Sequence, residues 1–139
     1  MKKRVRGPAL TQSGYGEHTR FVLRSLKQFE DLFDIYLINV NWGQTSWLWD
    51  DNEERRWIDS LLAKTVQYGQ SNGQFDLSVQ VQIPNEFEKL VPINVGVTAG
   101  VETTKMSPQW LEGCLRVDRI VTISQHAKYA LENTQYPAR

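Results

Sequence analysis

The order of short apolar runs and longer amphipathic segments constrains the fold of this chain more than any other feature. The runs FDIYLINVN (33–41) and FDLSVQVQIP (75–84) are typical of strands, the first apolar enough to be buried and the second alternating. Along the whole chain the order is strand, helix, strand, helix, strand, strand, helix, strand, helix. Because strands that alternate with helices form parallel sheets, the sequence predicts an α/β fold with a parallel sheet flanked by helices.

Two long segments carry helical periodicity. Residues 20–33 place apolar side chains on one helical face and basic side chains on another: Val22, Leu23, Leu26 and Phe29 against Arg20, Arg24 and Lys27. A second helix is predicted from the segment that begins at residue 50, with capping-type and acidic residues at its start, Gly69 at its expected end and an apolar stripe of Ile58, Leu61, Leu62 and Val66. Two shorter helices are predicted to begin at Ser107, which precedes Pro108, and at Ser124, because serine is a good N-cap.

The composition narrows the class of protein. A length of 139 residues corresponds to one domain, and 40% hydrophobic residues exclude a disordered chain. Sixteen basic residues balance sixteen acidic ones, so no global field attracts nucleic acid and no such partner is expected. No stretch approaches the roughly 18 apolar residues of a transmembrane helix, so no such segment is expected. The lone Cys114 suits a reducing compartment, and the cytoplasm is the expected localisation.

The loop after the first strand is the first candidate for ligand binding, because open α/β sheets bind ligands at the carboxyl ends of their strands. This loop, TQSGYGEHTR (11–20), carries Gly14 and Gly16 just before a helix. Glycines let a backbone approach a ligand closely, and the N–H groups of a helix N-terminus attract anions. The pattern is neither a Walker loop nor a dinucleotide fingerprint, since Thr19 occupies the position of the third glycine. The spacing leaves two interpretations open, a ligand loop and a tight turn into the helix.

The loop NWGQTSWLWDD (41–51) is the second candidate, because it carries Trp42, Trp47 and Trp49. Exposed tryptophans stack on sugar rings or contact a protein partner. Large aromatic side chains also pack as core, so both interpretations stay open at this point.

The remaining chemistry-bearing groups favour structural roles. The acidic residues 50–54 are expected to stabilise a helix start rather than hold a metal ion. His18 and His126 have no partner at ligand spacing, so no metal site is expected. Cys114 is expected to pack on the apolar face of a helix rather than act as a nucleophile.

The stretch VGVTAGVETTKMSPQWLEGCLRVDRIVTISQHAKYAL (95–131) carries the most specific motif. With the opening GPALTQSGYGEHTR (7–20), it resembles the N-terminal domain of group 1, family 4-like glycosyltransferases of the GT-B architecture. That family has a glycine-rich loop after its first strand, and later the form n-v-G-x-x-x-x-E, then P-x-W, then D-x-i-x-x-x-S-x-x-x-k. The positions that match the later form are Gly96, Pro108, Trp110, Asp118, Ile120, Ser124 and Lys128, and Glu102 lies one residue beyond the acidic position of the form. The resemblance spans nearly the whole chain.

The resemblance implies a Rossmann-like fold, with residues 1–139 forming a single N-terminal, acceptor-side domain. It also implies transfer of a sugar from a nucleotide-sugar donor to a hydroxyl of a carbohydrate or lipid-linked acceptor, commonly with retention of configuration. No cofactor is implied. In that family a C-terminal donor domain binds the nucleotide, and this domain is absent from the sequence. The chain is therefore interpreted as a fragment that is expected to show no transfer on its own.

The resemblance also assigns candidate residues. The substrate-binding candidates are Gly14, Tyr15, Gly16, Thr98, Glu102 and Ser124, and the acceptor-side aromatics are Trp47 and Trp49. Glu102 is the candidate catalytic residue, either orienting substrate hydroxyls or forming a salt bridge or helix entry. Thr98 and Ser124 are also interpretable as turn or cap residues. The alternative function is a stand-alone Rossmann-like module that binds a nucleotide or a protein without catalysis, and the sequence following residue 139 discriminates the two.

Overall fold

The computed structural model describes residues 1–100 and 102–134. Val101, which belongs to the stretch 95–131 that carries the resemblance, and residues 135–139 lie outside this description. The elements follow the predicted order, with one additional short 3-10 helix at Pro84–Glu86. Their bounds are β1 (Lys2–Gly7), α1 (Gly14–Lys27), β2 (Asp34–Asn39), α2 (Glu53–Gln70), β3 (Leu77–Val81), β4 (Ile93–Thr98), α3 (Pro108–Cys114), β5 (Arg119–Thr122) and α4 (Gln125–Glu132).

The five strands form one sheet in the order β2-β1-β3-β4-β5, and every neighbouring pair is parallel. The predicted α/β fold with a parallel sheet flanked by helices is therefore confirmed, and the architecture is Rossmann-like. The chain leaves β1 toward β2 and then returns to the other side of β1 at β3. The strand order thus reverses between β1 and β3, the kind of point where open sheets bind ligands. No helix of the described residues is long and apolar enough to cross a membrane.

Helix α1 packs on one face of the sheet and starts earlier than predicted. The Ser13 side chain caps it by accepting from the backbone N–H of Gly16. Leu23 is fully buried in the main core together with Val5 of β1. One prediction for this helix is wrong. The helix ends at Lys27, so Phe29 lies in the following turn rather than on the apolar face, and it is 48% exposed. Arg20, predicted on a different helical face from the apolar residues, is also buried.

Helix α2 covers the outer edge of β2. The backbone N–H of Leu37 donates to the Thr65 hydroxyl at 2.9 Å, and Lys64 donates to the carbonyl of Ile35 at 3.1 Å. Both groups point away from β1, because β2 pairs with β1 on its other side. The predicted apolar stripe is confirmed at Ile58 and Leu61, which are buried, at 0% and 5% exposure, and wrong at Val66, which is 61% exposed.

The opposite face of the sheet is covered by the segment between β3 and β4 and by α3. Phe87 is fully buried, and its ring lies 2.5 Å from where a Cβ on Gly96 of β4 would stand. A Cβ on Gly113 of α3 would overlap the Pro84 carbonyl. Two glycines therefore permit the close approach of these layers.

Candidate functional site

A groove of about 710 Å³ opens where the N-terminal turn of α1 faces the ends of β4 and β5. It lies at the carboxyl edge of the sheet, as predicted for a ligand site. Its lining is mostly apolar or aromatic, with a few polar groups: Gly14, Tyr15, Glu17, His18, Phe21, Ala99, Val121, Thr122 and Ile123. A concave, largely apolar surface with few polar groups is typical of small-molecule sites.

The first turn of α1, which lies beside this groove, carries unpaired backbone donors. Ser13 satisfies the N–H groups of Gly16 and Glu17, through its hydroxyl and its carbonyl respectively, each at 3.0 Å. Among the described residues, the N–H groups of Gly14 and Tyr15 have no acceptor. These two donors stand at the positive end of the helix dipole, where an anionic group is stabilised.

The two glycines have different structural roles. Gly14 is exposed, and a Cβ added there would meet no atom within 4 Å. A Cβ on the buried Gly16 would overlap the backbone carbonyl of Thr11 and lie 2.7 Å from the Thr11 hydroxyl. Neither glycine has a positive φ, since both belong to the helix. Gly16 is therefore needed for packing of the turn, while Gly14 keeps an opening beside the groove.

Tyr15 connects the loops that follow β1, β2 and β4. Its hydroxyl lies 3.0 Å from the hydroxyl of Thr98 and accepts a longer bond from the backbone N–H of Ala99. Its ring packs on Trp42, with centroids 4.6 Å apart. Thr98 is fully buried, so it holds Tyr15 rather than meeting a ligand.

Arg20 of α1 holds the loop after β1 in place. Its buried guanidinium donates to the carbonyl oxygens of Ala9 and Thr11, at 2.7 and 2.8 Å, and to the carboxylate of Glu17. Four hydrogen bonds from one side chain hold the loop in one position relative to α1. The charge pattern did not predict this role, because a basic residue on a helix is normally assigned to the solvent.

Helix α1 lies close to the sheet although it lacks the third glycine of a dinucleotide fingerprint. Thr19 is fully buried, and a Cβ on Gly7 of β1 would overlap its hydroxyl. In the fingerprint the small residue stands on the helix, whereas here it stands on the strand. The motif around Thr19 did not predict this arrangement, because the glycine that makes room for Thr19 lies twelve residues earlier, at Gly7.

The remaining predicted site residues lie at the same edge of the sheet with different surroundings. Ser124 caps α4, and its hydroxyl accepts from the N–H of Ala127 at 3.0 Å. Glu102 is exposed in the loop after β4 and pairs with no described residue. Trp47 is 44% exposed and forms an isolated antiparallel bridge with Thr11, and Trp49 is 83% exposed. Trp49 is therefore not a core residue, and Trp42 is the tryptophan that contacts Tyr15.

His18 and Phe21 are groove residues that the sequence reasoning missed. They follow Gly14 by four and seven residues, so they share its helical face, and this spacing is the signal that could have found them. Desolvation lowers the pKa of His18, which favours the neutral form of its imidazole. Phe21 is 61% exposed although it is apolar.

Neither a metal centre nor an activated thiol is found in the part of the chain that the structure describes. Within residues 1–100 and 102–134, no group of three or more His, Cys, Asp or Glu side chains is arranged to hold a metal ion. Burial raises the pKa of the Cys114 thiol to about 11, so it is protonated at neutral pH. A protonated thiol is a weak nucleophile.

The fold and the groove define an α/β protein with a Rossmann-like parallel sheet and a candidate small-molecule site at its carboxyl edge. In comparisons with known proteins, no family model, no curated protein and no solved structure matched this chain.

Proposed function

We propose that this chain is the acceptor-side half of a glycosyltransferase that uses a nucleotide-sugar donor. The observation that carries the proposal is the open, largely apolar groove at the carboxyl edge of the sheet, which Gly14 and Tyr15 line at the start of α1. The sequence motif supports it, since the resemblance assigns these positions to the cleft of such enzymes.

We assign different roles to the backbone and side-chain groups of the site. In glycosyl transfer the leaving diphosphate gains negative charge, and donors aimed at it lower the barrier. The N–H groups of Gly14 and Tyr15 fit that task. Glu102 is proposed to orient sugar hydroxyls from the loop after β4, and the exposed Trp47 and Trp49 are proposed to contact the acceptor.

The test is binding of a nucleotide sugar, followed through the backbone amides of α1. In the resembling family a second domain makes most nucleotide contacts, so we expect a dissociation constant of about 1 mM here. UDP-glucose and GDP-mannose are titrated into the labelled protein while amide NMR shifts are recorded. At least one of them should shift the Gly14 and Tyr15 resonances in a saturable way.

A matched pair of variants separates binding from folding. Gly14→Val places a branched side chain in open space at the groove, so the fold should persist while affinity falls at least tenfold. The control Val66→Ala changes an exposed residue of α2 and should leave affinity unchanged. Unchanged affinity in Gly14→Val, or no shift at these amides with either sugar, would reduce the loop to a turn and contradict the proposal.

A further inference from the structure

Strand β1 places two arginines on the face of the sheet opposite α1. Val5 points into the core beneath α1, so Arg4 and Arg6 point to the other face, because strand side chains alternate. Ser78 of β3 is the direct register partner of Arg4, and it therefore shares this face. The three side chains are neighbours on two adjacent strands.

The positive charges of Arg4 and Arg6 are only partly compensated by carboxylates. Arg6 forms an ion pair with Glu88 at 3.0 Å. Arg4 forms no ion pair or hydrogen bond with any residue in the described ranges, and its guanidinium lies over the ring of Phe75, 5.0 Å from the centroid. The ring face stabilises a cation but offers no oxygen for the N–H groups. Burial and the neighbouring Arg6 charge lower the pKa of Arg4.

Three polar atoms here are buried without a partner in the described structure: Arg4 Nε, Arg6 Nη1 and Ser78 Oγ. Ser78 is fully buried. Folded proteins leave few such groups, and each costs about 1–3 kcal/mol when it has no partner. All three can donate a hydrogen bond, while the Ser78 hydroxyl can also accept one, and the fourth such atom of the described residues, Gln82 Oε1 just after β3, is an acceptor. Donors therefore outnumber acceptors at this position.

We propose that Arg4, Arg6 and Ser78 form a binding site for an oxyanion, the group shared by carboxylates and phosphates. Guanidinium groups match the planar oxygen pairs of carboxylate and phosphate with two parallel hydrogen bonds. Glu88 is the one carboxylate that pairs with either arginine in the described ranges, and its side chain is 53% exposed. None of the three residues lines the groove of the proposed function, so this site is independent of that proposal.

The experiment measures thermal stability at constant ionic strength. Sodium chloride is replaced stepwise by sodium phosphate in one series and by sodium acetate in another. We expect a saturable rise in Tm of about 5 °C in at least one series, because a ligand that binds the folded state stabilises it. The series with the larger rise identifies the source of the oxyanion, phosphate or carboxylate.

Variants assign the rise to this site. Arg4→Met keeps the stem of the side chain and removes the unmatched charge, so its Tm in chloride should exceed that of the wild type. The half-saturating oxyanion concentration should increase at least tenfold in this variant. Arg119→Met, which changes an exposed arginine of β5 on the α1 side of the sheet, should retain the wild-type rise.

A measurement on the wild-type protein keeps the proposal testable if Arg4→Met does not fold. The Nε–Hε resonance of Arg4 should shift during the same titration and saturate at the same concentration as the Tm. Equal rises in wild type and Arg4→Met, no rise beyond chloride in either series, or a stationary Arg4 resonance would each overturn the proposal.

Discussion

Replacing Gly16 by alanine is expected to destabilise the protein, although alanine is the better helix former. The new methyl group would overlap the carbonyl oxygen of Thr11, which also accepts a 2.8 Å hydrogen bond from Arg20. Overpacking of this kind costs about 1–3 kcal/mol, and loosening a hydrogen bond to a charged group costs about 1.5–3 kcal/mol. Alanine recovers at most about 1 kcal/mol of helix propensity. We therefore expect the free energy of unfolding to fall by about 1.5–5 kcal/mol.

Urea unfolding followed by tryptophan fluorescence measures this loss, and Gly14→Ala is the matched control. The control adds the same methyl group to the same helical turn, but no atom lies within 4 Å of it. It should leave the free energy of unfolding unchanged or raise it by about 0.5 kcal/mol. A Gly16→Ala variant at least as stable as Gly14→Ala would refute the assignment of Gly16 to packing of the turn.

Two further predictions concern hydrogen-bonded hydroxyl groups. Tyr15→Phe and Thr98→Val should each cost about 1 kcal/mol, and a double-mutant cycle in urea should show coupling between them; additive losses would argue against their direct bond. Burial, followed by its hydrogen bond to Asp34, raises the pKa of Tyr36 from 10.0 to about 12. The unfolded chain therefore loses this proton first, so stability should fall as the pH rises from about 10 toward 12. The fall should be shallower in Tyr36→Phe, and identical pH profiles would contradict it.

Much of the fold could be predicted because its signals are local. Ser124 lies at a helix start as its type and position indicated, and the alternating apolar residues of β3 marked a strand. The start of α1 was misplaced because Gly14 and Gly16 are poor helix formers, and the Ser13 cap was needed to recognise it. The strand order was beyond prediction from one sequence, because pairing joins residues that are distant along the chain.

The site was predicted only in outline for the same reason. The start of α1 and the carboxyl ends of β4 and β5 do meet at one groove, at the edge of the sheet where the loops were expected to bind a ligand. Gly16 has no room for a side chain because the backbone of Thr11 lies against it, whereas Gly14 has open space around it. Arg20 is buried because two carbonyl oxygens accept from it. These neighbours are fixed by loop geometry, which side-chain patterns do not encode.

The covering of β2 by α2 determines at which edge this sheet can accept a further strand. Thr65 accepts from the outward N–H of Leu37, and Lys64 donates to the outward carbonyl of Ile35, so two groups that an incoming strand would pair with are already bonded. The other edge strand is β5. Addition of a strand is therefore disfavoured at β2, which leaves β5 as the edge for association by strand pairing.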